Sequence, residues 1–476
     1  MIWTNFLHIY QPPTQTKEML DLISDESYSV ILNTLKENPE GKITLNINAS
    51  LTELFIKYKY DNLISDIKLL LERGQIELTD SAAYHAFLPL VPEEEIIRQI
   101  ELNHKINKSV YGSFYNPKGF FSPELGISEK VVNVVSKMGY KWMLFDELAF
   151  EKDKGDIRHD ILYKIKGTDM TGFFRDRDIS FKILSAQLEN GNIFLAEIKD
   201  LIDKNIYLPT AMDGETFGHH RPGLELLLED IFKSDKIKTM RYEDLLDIFK
   251  VGDTVSIVPS SWALIPVELL KDQPYQRWLN HDNKINQLQW QLTHFAIEKV
   301  NTSKYRFSDL DDNNRELSMK EKQWHKARSI LDKALHSDQY WWASARPWWS
   351  IEMIEKGAYE LKESVLTLPD ISEEDTKKAI DLYKEIIFTS FSWQREGIVD
   401  RMANNFDEEA EEIIETKSYE ADPKEYDSII KHLERQMLDS ADKLNFKRAE
   451  EFRKRINNLY LKQKGIIGYN KKHGQD

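Results

Sequence analysis

At 476 residues the chain is long enough for a large catalytic domain with additions, and 41% hydrophobic with 30% charged residues is the balance of a soluble globular protein. Its 64 basic and 80 acidic residues leave a net charge of −16, which argues against non-specific nucleic-acid or anionic-membrane binding by the whole protein. With no cysteine, disulfides and thiolate metal sites are excluded.

The opening residues, MIWTNFLHIYQPP, carry no basic region ahead of the apolar run and no small-residue cleavage site. No apolar stretch approaches the ~18 residues that span a bilayer. A cytoplasmic chain is the expectation, with neither membrane nor nucleic acid as partner.

Strand-like segments recur through the first half: IWTNFLH (2–8), KITLNINA (42–49), QIELTDSA (75–82), GFFSPE (119–124), KWMLFDE (141–147), TGFFRDR (171–177) and IYLPTAMDGE (206–215). Between them lie amphipathic stretches such as SLTELFIKYKYDNLISDIKLLLERG, with apolar residues at three- and four-residue spacings. This alternation predicts an α/β fold, parallel strands with helices outside, most simply a barrel over residues 1–265. His8, Asn48, His85, Glu124, Asp146, Arg175 and Asp213 fall at or just beyond the C-terminal strand ends, the face on which barrel loops build active sites.

Residues 266–405 lack strand signals and show helical periodicity, as in NKINQLQWQLTHFAIEKVN, so they predict a helical region packed on the barrel and completing its site. Residues 406–425 are acidic, contain a Pro and read as a linker. Apolar positions Ile430, Leu433, Met437, Ala441 and Leu444, then Ala449, Phe452, Ile456 and Leu459, predict a helical hairpin over 426–463, broken near Asn445. The tail KKHGQD reads as frayed.

Two carboxylates stand out. Glu124 follows Ser-Pro at the end of an apolar strand, and Asp213 ends an equivalent strand in AMDGETFGHH. Facing each other across a barrel mouth, such a pair suits glycosidic-bond cleavage, one attacking the anomeric carbon and the other moving the proton. A separation of ~5–5.5 Å gives retention and a wider one inversion. His8, His85, His219 and His220 could supply imidazoles to a zinc ion, but no pair has the short helical spacing of the common zinc motifs. Sugar contact is the preferred reading, with no metal and no cofactor. Arg175 and Asp176 read equally as a structural ion pair or as substrate contacts. The tryptophans of HSDQYWWASARPWWS fit both a helix–barrel seam and a wall of the cleft.

HIYQPP, LNINASLTE, FFSPELG, DGETFGHH and HSDQYWW occur in that order, and together they resemble the five sequence regions of glycoside hydrolase family 57. The resemblance covers roughly residues 1–400. It implies an incomplete (β/α)7 barrel with a helical region and a retaining α-amylase or 4-α-glucanotransferase activity, Glu124 being the nucleophile and Asp213 the general acid/base. It also places His8, Gln11, Glu215, His219, Asp338 and Trp341 in substrate-binding regions, with His85 beside them. Three positions depart from the pattern: Tyr10 stands for a second His, Ala49 for a common Gly and His220 for a common Trp. The implied substrate is an α-1,4-linked gluco-oligosaccharide.

The terminal LERQMLDSADKLNFKRAEEFRKRI resembles the UVR motif, a helical hairpin that mediates protein–protein contact. That implies a protein partner or self-association. Two rival readings accompany the glucan one: a metal-dependent polysaccharide deacetylase, and a non-catalytic carbohydrate-binding or scaffold protein.

Overall fold

The computed structural model describes residues 1–151, 155–265, 268, 272–307, 317–346, 348–411, 425–442 and 446–463. Among the described residues there are ten strands: β1 (Ile2–Ile9), β2 (Ile43–Ile47), β3 (Ile76–Thr79), β4 (Gly119–Phe120), β5 (Trp142–Asp146), β6 (Leu162–Ile165), β7 (Thr171–Arg175), β8 (Tyr207–Asp213), β9 (Lys238–Thr239) and β10 (Val251–Val255).

In one arc β8, β1, β2 and β3 pair in parallel, in that order. A second parallel arc runs β7, β5, β4. Asp80, just past β3, joins the two: its N–H donates to the Gly119 carbonyl at 3.0 Å, and its own carbonyl accepts from the Phe121 N–H at 2.9 Å. Strands β7 and β8 share no ladder, although the Asp176 N–H reaches the Pro209 carbonyl at 2.6 Å. The fold is therefore an α/β barrel of seven parallel strands left open between β7 and β8, and each of the seven coincides with a segment anticipated from sequence, β1 running one residue beyond its own.

Three further strands were not anticipated. β6 runs antiparallel to β7 and carries β10 on its outer edge, while β9 adds two residues beside β1. Four of the five residues of β10 are exposed, so the buried apolar alternation that marks a strand is missing there.

Side chains alternate across the strands, and this period of two positions the site. Phe6, Phe121, Leu144, Phe173 and Ala211 fill the barrel interior, whereas Leu7 and Met212, and likewise Phe145 and Phe174, pack outward against helices. Two residues beyond each of four inward positions come His8, Asp146, Arg175 and Asp213, which therefore point into the mouth.

Between residues 266 and 405 the described residues contain no strand. Helices Lys284–Thr302, Met319–Ala334, Ile351–Leu366 and Glu373–Arg395 share one apolar core with Phe87, Val131 and Phe145 of the barrel side. The stretch read as a linker begins as helix, because Ile398–Glu411 continues through residues 406–411; residues 412–424 lie outside the described residues. The hairpin helices are Glu425–Asp442 and Phe446–Gln463, and Ile430, Leu433, Phe452, Ile456 and Leu459 bury together against Leu226 of the barrel. The expected break near Asn445 and the tail lie outside the described residues. No helix among those described is long and apolar enough to cross a membrane.

Candidate active site

Glu124 sits in the short turn Pro123–Leu125 that follows β4, with φ of 61°. His85 (φ 58°) and Leu125 (φ 45°) share this left-handed backbone, which is costly for residues with a side chain and persists where packing over-determines it. Three such residues gather left-handed backbone at one mouth. Trp262 grips Glu124 twice: its indole Nε1–H donates to Oε2 at 2.7 Å, and its backbone N–H donates to the Glu124 carbonyl at 3.0 Å.

His8 ends the inward row of β1. Its Nδ1–H donates to Asn46 Oδ1 at 2.8 Å, because the Asn46 amide nitrogen is committed to Thr79. The His8 Nε2 lone pair then faces His85 Nε2–H at 3.0 Å, and His85 Nδ1 accepts from the Ser337 hydroxyl at 2.9 Å. Burial keeps both imidazoles neutral, with His85 pushed down to about 4 and His8 well below its ordinary value. Tyr10 lies flat on His85, ring centroids 4.1 Å apart, and donates its hydroxyl to Asp338 Oδ2 at 2.8 Å. Burial would raise the Asp338 carboxyl, but His336, His85 and the Tyr10 hydroxyl outweigh it and hold the group below its usual range.

Asp213 closes β8 directly opposite His8 in the register. Its carboxylate hydrogen-bonds to no described residue, which leaves it open toward the mouth. Burial raises it to about 6 against the pull of Arg175, while burial and the Asp213 charge raise Glu124 to about 8. Arg175 is itself buried, its Nε 2.7 Å from Asp146 and one Nη donating to the Ala211 carbonyl at 2.9 Å. It thus belongs to an ion pair beneath the site that braces β8.

Two residues past Asp213, Glu215 accepts from Gln11 Nε2 at 3.1 Å and from the Tyr28 hydroxyl. Burial and the Asp213 charge raise Glu215 to about 8. His219 is drawn elsewhere: its Nδ1 lies 2.6 Å from Glu26, and no described contact joins it to Glu124 or Asp213. Trp341 lies between Trp278, tilted against it at 5.4 Å between centroids, and Trp348, stacked on it at 6.0 Å.

His8, His85, Glu124 and Asp338 therefore form one connected cluster through Tyr10 and Ser337, and Gln11 and Glu215 form another beside Asp213. Sequence reading passed over Asn46, Tyr28 and Trp262, whereas Ser337 stood with Asp338 among the polar residues that suggested a cleft wall. Asn46 was recoverable, since it shares inward parity with the observed β2 row and pairs with His8 in register. Trp262 carried no local signal. Asn48, taken as the β2 contribution, instead donates to the Ala82 carbonyl beneath the loop. Among the described residues no group of three or more His, Asp or Glu side chains is arranged to hold a metal ion.

Residues 7–257 match the family model for Glycosyl hydrolase family 57. The chain belongs to this family. Relatives include an α-amylase of Pyrococcus horikoshii, 22% identical over 268 residues, covering 54% of this chain and 42% of the relative. A 4-α-glucanotransferase of Thermococcus kodakarensis is 21% identical over 268 residues, covering 54% and 40%. The chain thus spans less than half the length of these curated relatives. The solved family 57 branching enzyme of Thermococcus kodakaraensis superposes with a TM-score of 0.62 at 14% identity, over 80% of this chain and 94% of that one, and so shares its fold. Residues 427–462 match a second model, the UvrB/uvrC motif.

Proposed function

We propose that this family 57 chain is a retaining α-glucan-active enzyme that cleaves or transfers α-1,4-glucosyl units of gluco-oligosaccharides, with Glu124 as nucleophile and Asp213 as general acid/base. The observation that carries the reading is the pair itself: a strained, doubly gripped Glu124 at one side of the mouth and an open Asp213 at another, each raised by burial.

In the first step Glu124 attacks the anomeric carbon while Asp213 gives its proton to the departing oxygen, leaving a glycosyl ester on Glu124. Asp213 then takes a proton from water or a sugar hydroxyl, which displaces Glu124 and restores the pair. The shared proton is held more tightly at Glu124 than at Asp213. The reaction draws on the tautomer in which Glu124 is ionised and that proton sits on Asp213, and positive charge developing at the anomeric carbon then stabilises the ionised Glu124. Ionised Asp338 and neutral His8 and His85 line the same mouth and offer hydrogen bonds to sugar hydroxyls. Gln11, Glu215 and Trp341 contact the sugar in this reading, and His219 supports the loop rather than the sugar. Domain limits of 1–265, 266–405 and 426–463, a cytoplasmic location and no cofactor belong to the same proposal.

Product chromatography with linear malto-oligosaccharides tests it on wild type, Glu124→Gln and Asp213→Asn, each with and without chelator. Wild type should shorten or redistribute the oligosaccharides regardless of chelator, and each variant should lose at least about 10²–10⁴-fold in rate. Inactive wild type would remove this substrate class, and chelator-sensitive acetate release from an acetylated glycan would favour the deacetylase reading.

A further inference from the structure

The loop after β8, residues 214–220, carries Glu215 and follows directly from Asp213. It is gripped from one side by three consecutive residues of the π-helical turn Ser24–Tyr28. Glu26 Oε2 lies 2.6 Å from His219 Nδ1, the Ser27 hydroxyl donates to the Gly214 carbonyl at 2.9 Å, and the Tyr28 hydroxyl donates to Glu215. The two segments are so close that a Cβ on Gly218, whose φ is +99°, would lie 1.9 Å from the Glu26 carbonyl oxygen.

The other side of this joint is closed by the C-terminal hairpin. Arg448, at 7% exposure, sets its Nε 2.6 Å from Glu26 Oε1. One of its terminal nitrogens donates to the His219 carbonyl at 3.0 Å and the other to the Gly218 carbonyl at 2.6 Å. The planar fork, removed from water here, sets its charge against the Glu26 carboxylate and hydrogen-bonds two loop carbonyls together. Around it, Gln436 donates to Glu225 at 2.6 Å, Arg455 to Glu189 at 2.9 Å, and Leu226 packs on the hairpin core. A hairpin serving only an outside partner would have no need to bury a charge against this loop.

We propose that Arg448 is a positioning residue for the acid/base loop, so that the hairpin acts in cis as a clamp holding residues 214–220, and with them Asp213 and Glu215, in one arrangement. The catalytic part of this proposal rests on the glucan-active reading above; the clamp itself does not.

Hydrogen exchange and turnover on the full chain separate the two. Wild type is compared with Arg448→Ala, Arg448→Lys and Arg453→Ala, the last a control whose exposed side chain pairs along its own helix with Glu450. In Arg448→Ala the peptide covering 214–220 should exchange about tenfold faster or more, with β1 and β2 protection unchanged; Arg448→Lys should restore part of it and Arg453→Ala should match wild type. On malto-oligosaccharides kcat of Arg448→Ala should fall about 10- to 100-fold, the size expected from displacing a catalytic group by about 1 Å, with KM moving far less. Unchanged exchange at 214–220 in Arg448→Ala overturns the clamp. Faster exchange with unchanged kcat overturns the positioning role. Inactive wild type with faster loop exchange in Arg448→Ala sinks the glucan reading and leaves the clamp standing.

Discussion

In the proposed mechanism two carboxylates held in a buried mouth set the pH dependence, and the working state has one proton on the Glu124–Asp213 pair. Below about pH 6 both are protonated and the nucleophile is neutral; above about pH 8 both are ionised and the acid is gone. The kcat/KM profile on malto-oligosaccharides should therefore be a bell between those limits, and a flat profile through them would contradict the assignment. Trp262 tunes that bell, since its indole N–H donates to Glu124 Oε2. In Trp262→Phe the loss of a hydrogen bond to a charged group leaves Glu124 with a stronger hold on its proton. The alkaline limb should move to higher pH, and the rate at the optimum should fall about tenfold or more. A profile that keeps its limbs while the rate drops would assign Trp262 to packing alone.

Among elements, the loop 214–220 is where sequence and structure part most clearly. The seven barrel strands were legible because each is a buried run with a polar residue at or just past its C-terminal end, and because inward parity carries Phe6 to His8 and Ala211 to Asp213. Glu124 and Asp213 were legible for the same reason, helped by the family resemblance. The grip on the loop was not. Ser24–Tyr28, sequence SDESY, looks like any polar helical turn, and only its π-helical winding lets Glu26, Ser27 and Tyr28 face one loop in succession. Arg448 likewise sits in a basic helix where a solvated face is the ordinary expectation, and its partners are far away in the chain. Tyr10 looked like a loss relative to the family's histidine, yet it stacks on His85 and holds Asp338. Gly218 follows as the critical backbone position of this element. Gly218→Ala must distort either the loop or the turn, at a cost of about 1–3 kcal/mol for the strained backbone alone. Urea denaturation should register that loss, with a fall in turnover beside it. Wild-type stability and turnover in this variant would mean that the contact with Glu26 relaxes freely.

At the scale of the molecule, the site is assembled from two bodies, because the barrel supplies Glu124, Asp213 and the histidines while the helical region supplies Ser337 and Asp338. Their registration depends on buried charge. Arg328, on helix Met319–Ala334, lies 2.8 Å from Glu95 of the barrel helix Glu93–Tyr111 and 2.8 Å from Asp332 on its own helix. Arg98 reaches across from the barrel to the same Asp332 at 2.7 Å. Helix Met319–Ala334 runs straight into His336, Ser337 and Asp338, so an error in its seating is delivered to the site. Arg328→Met removes a guanidinium that is 1% exposed and leaves Glu95 without its counter-charge, which should cost about 3–5 kcal/mol. The expected signature in a double-mutant cycle is non-additivity: Glu95→Gln added to Arg328→Met should recover part of that loss, because the stranded carboxylate is what makes the single change expensive. Denaturation of the four chains measures the coupling, and malto-oligosaccharide turnover should follow stability through the series. Strictly additive losses would show that apolar packing between the bodies, rather than this ion network, sets where Ser337 and Asp338 stand.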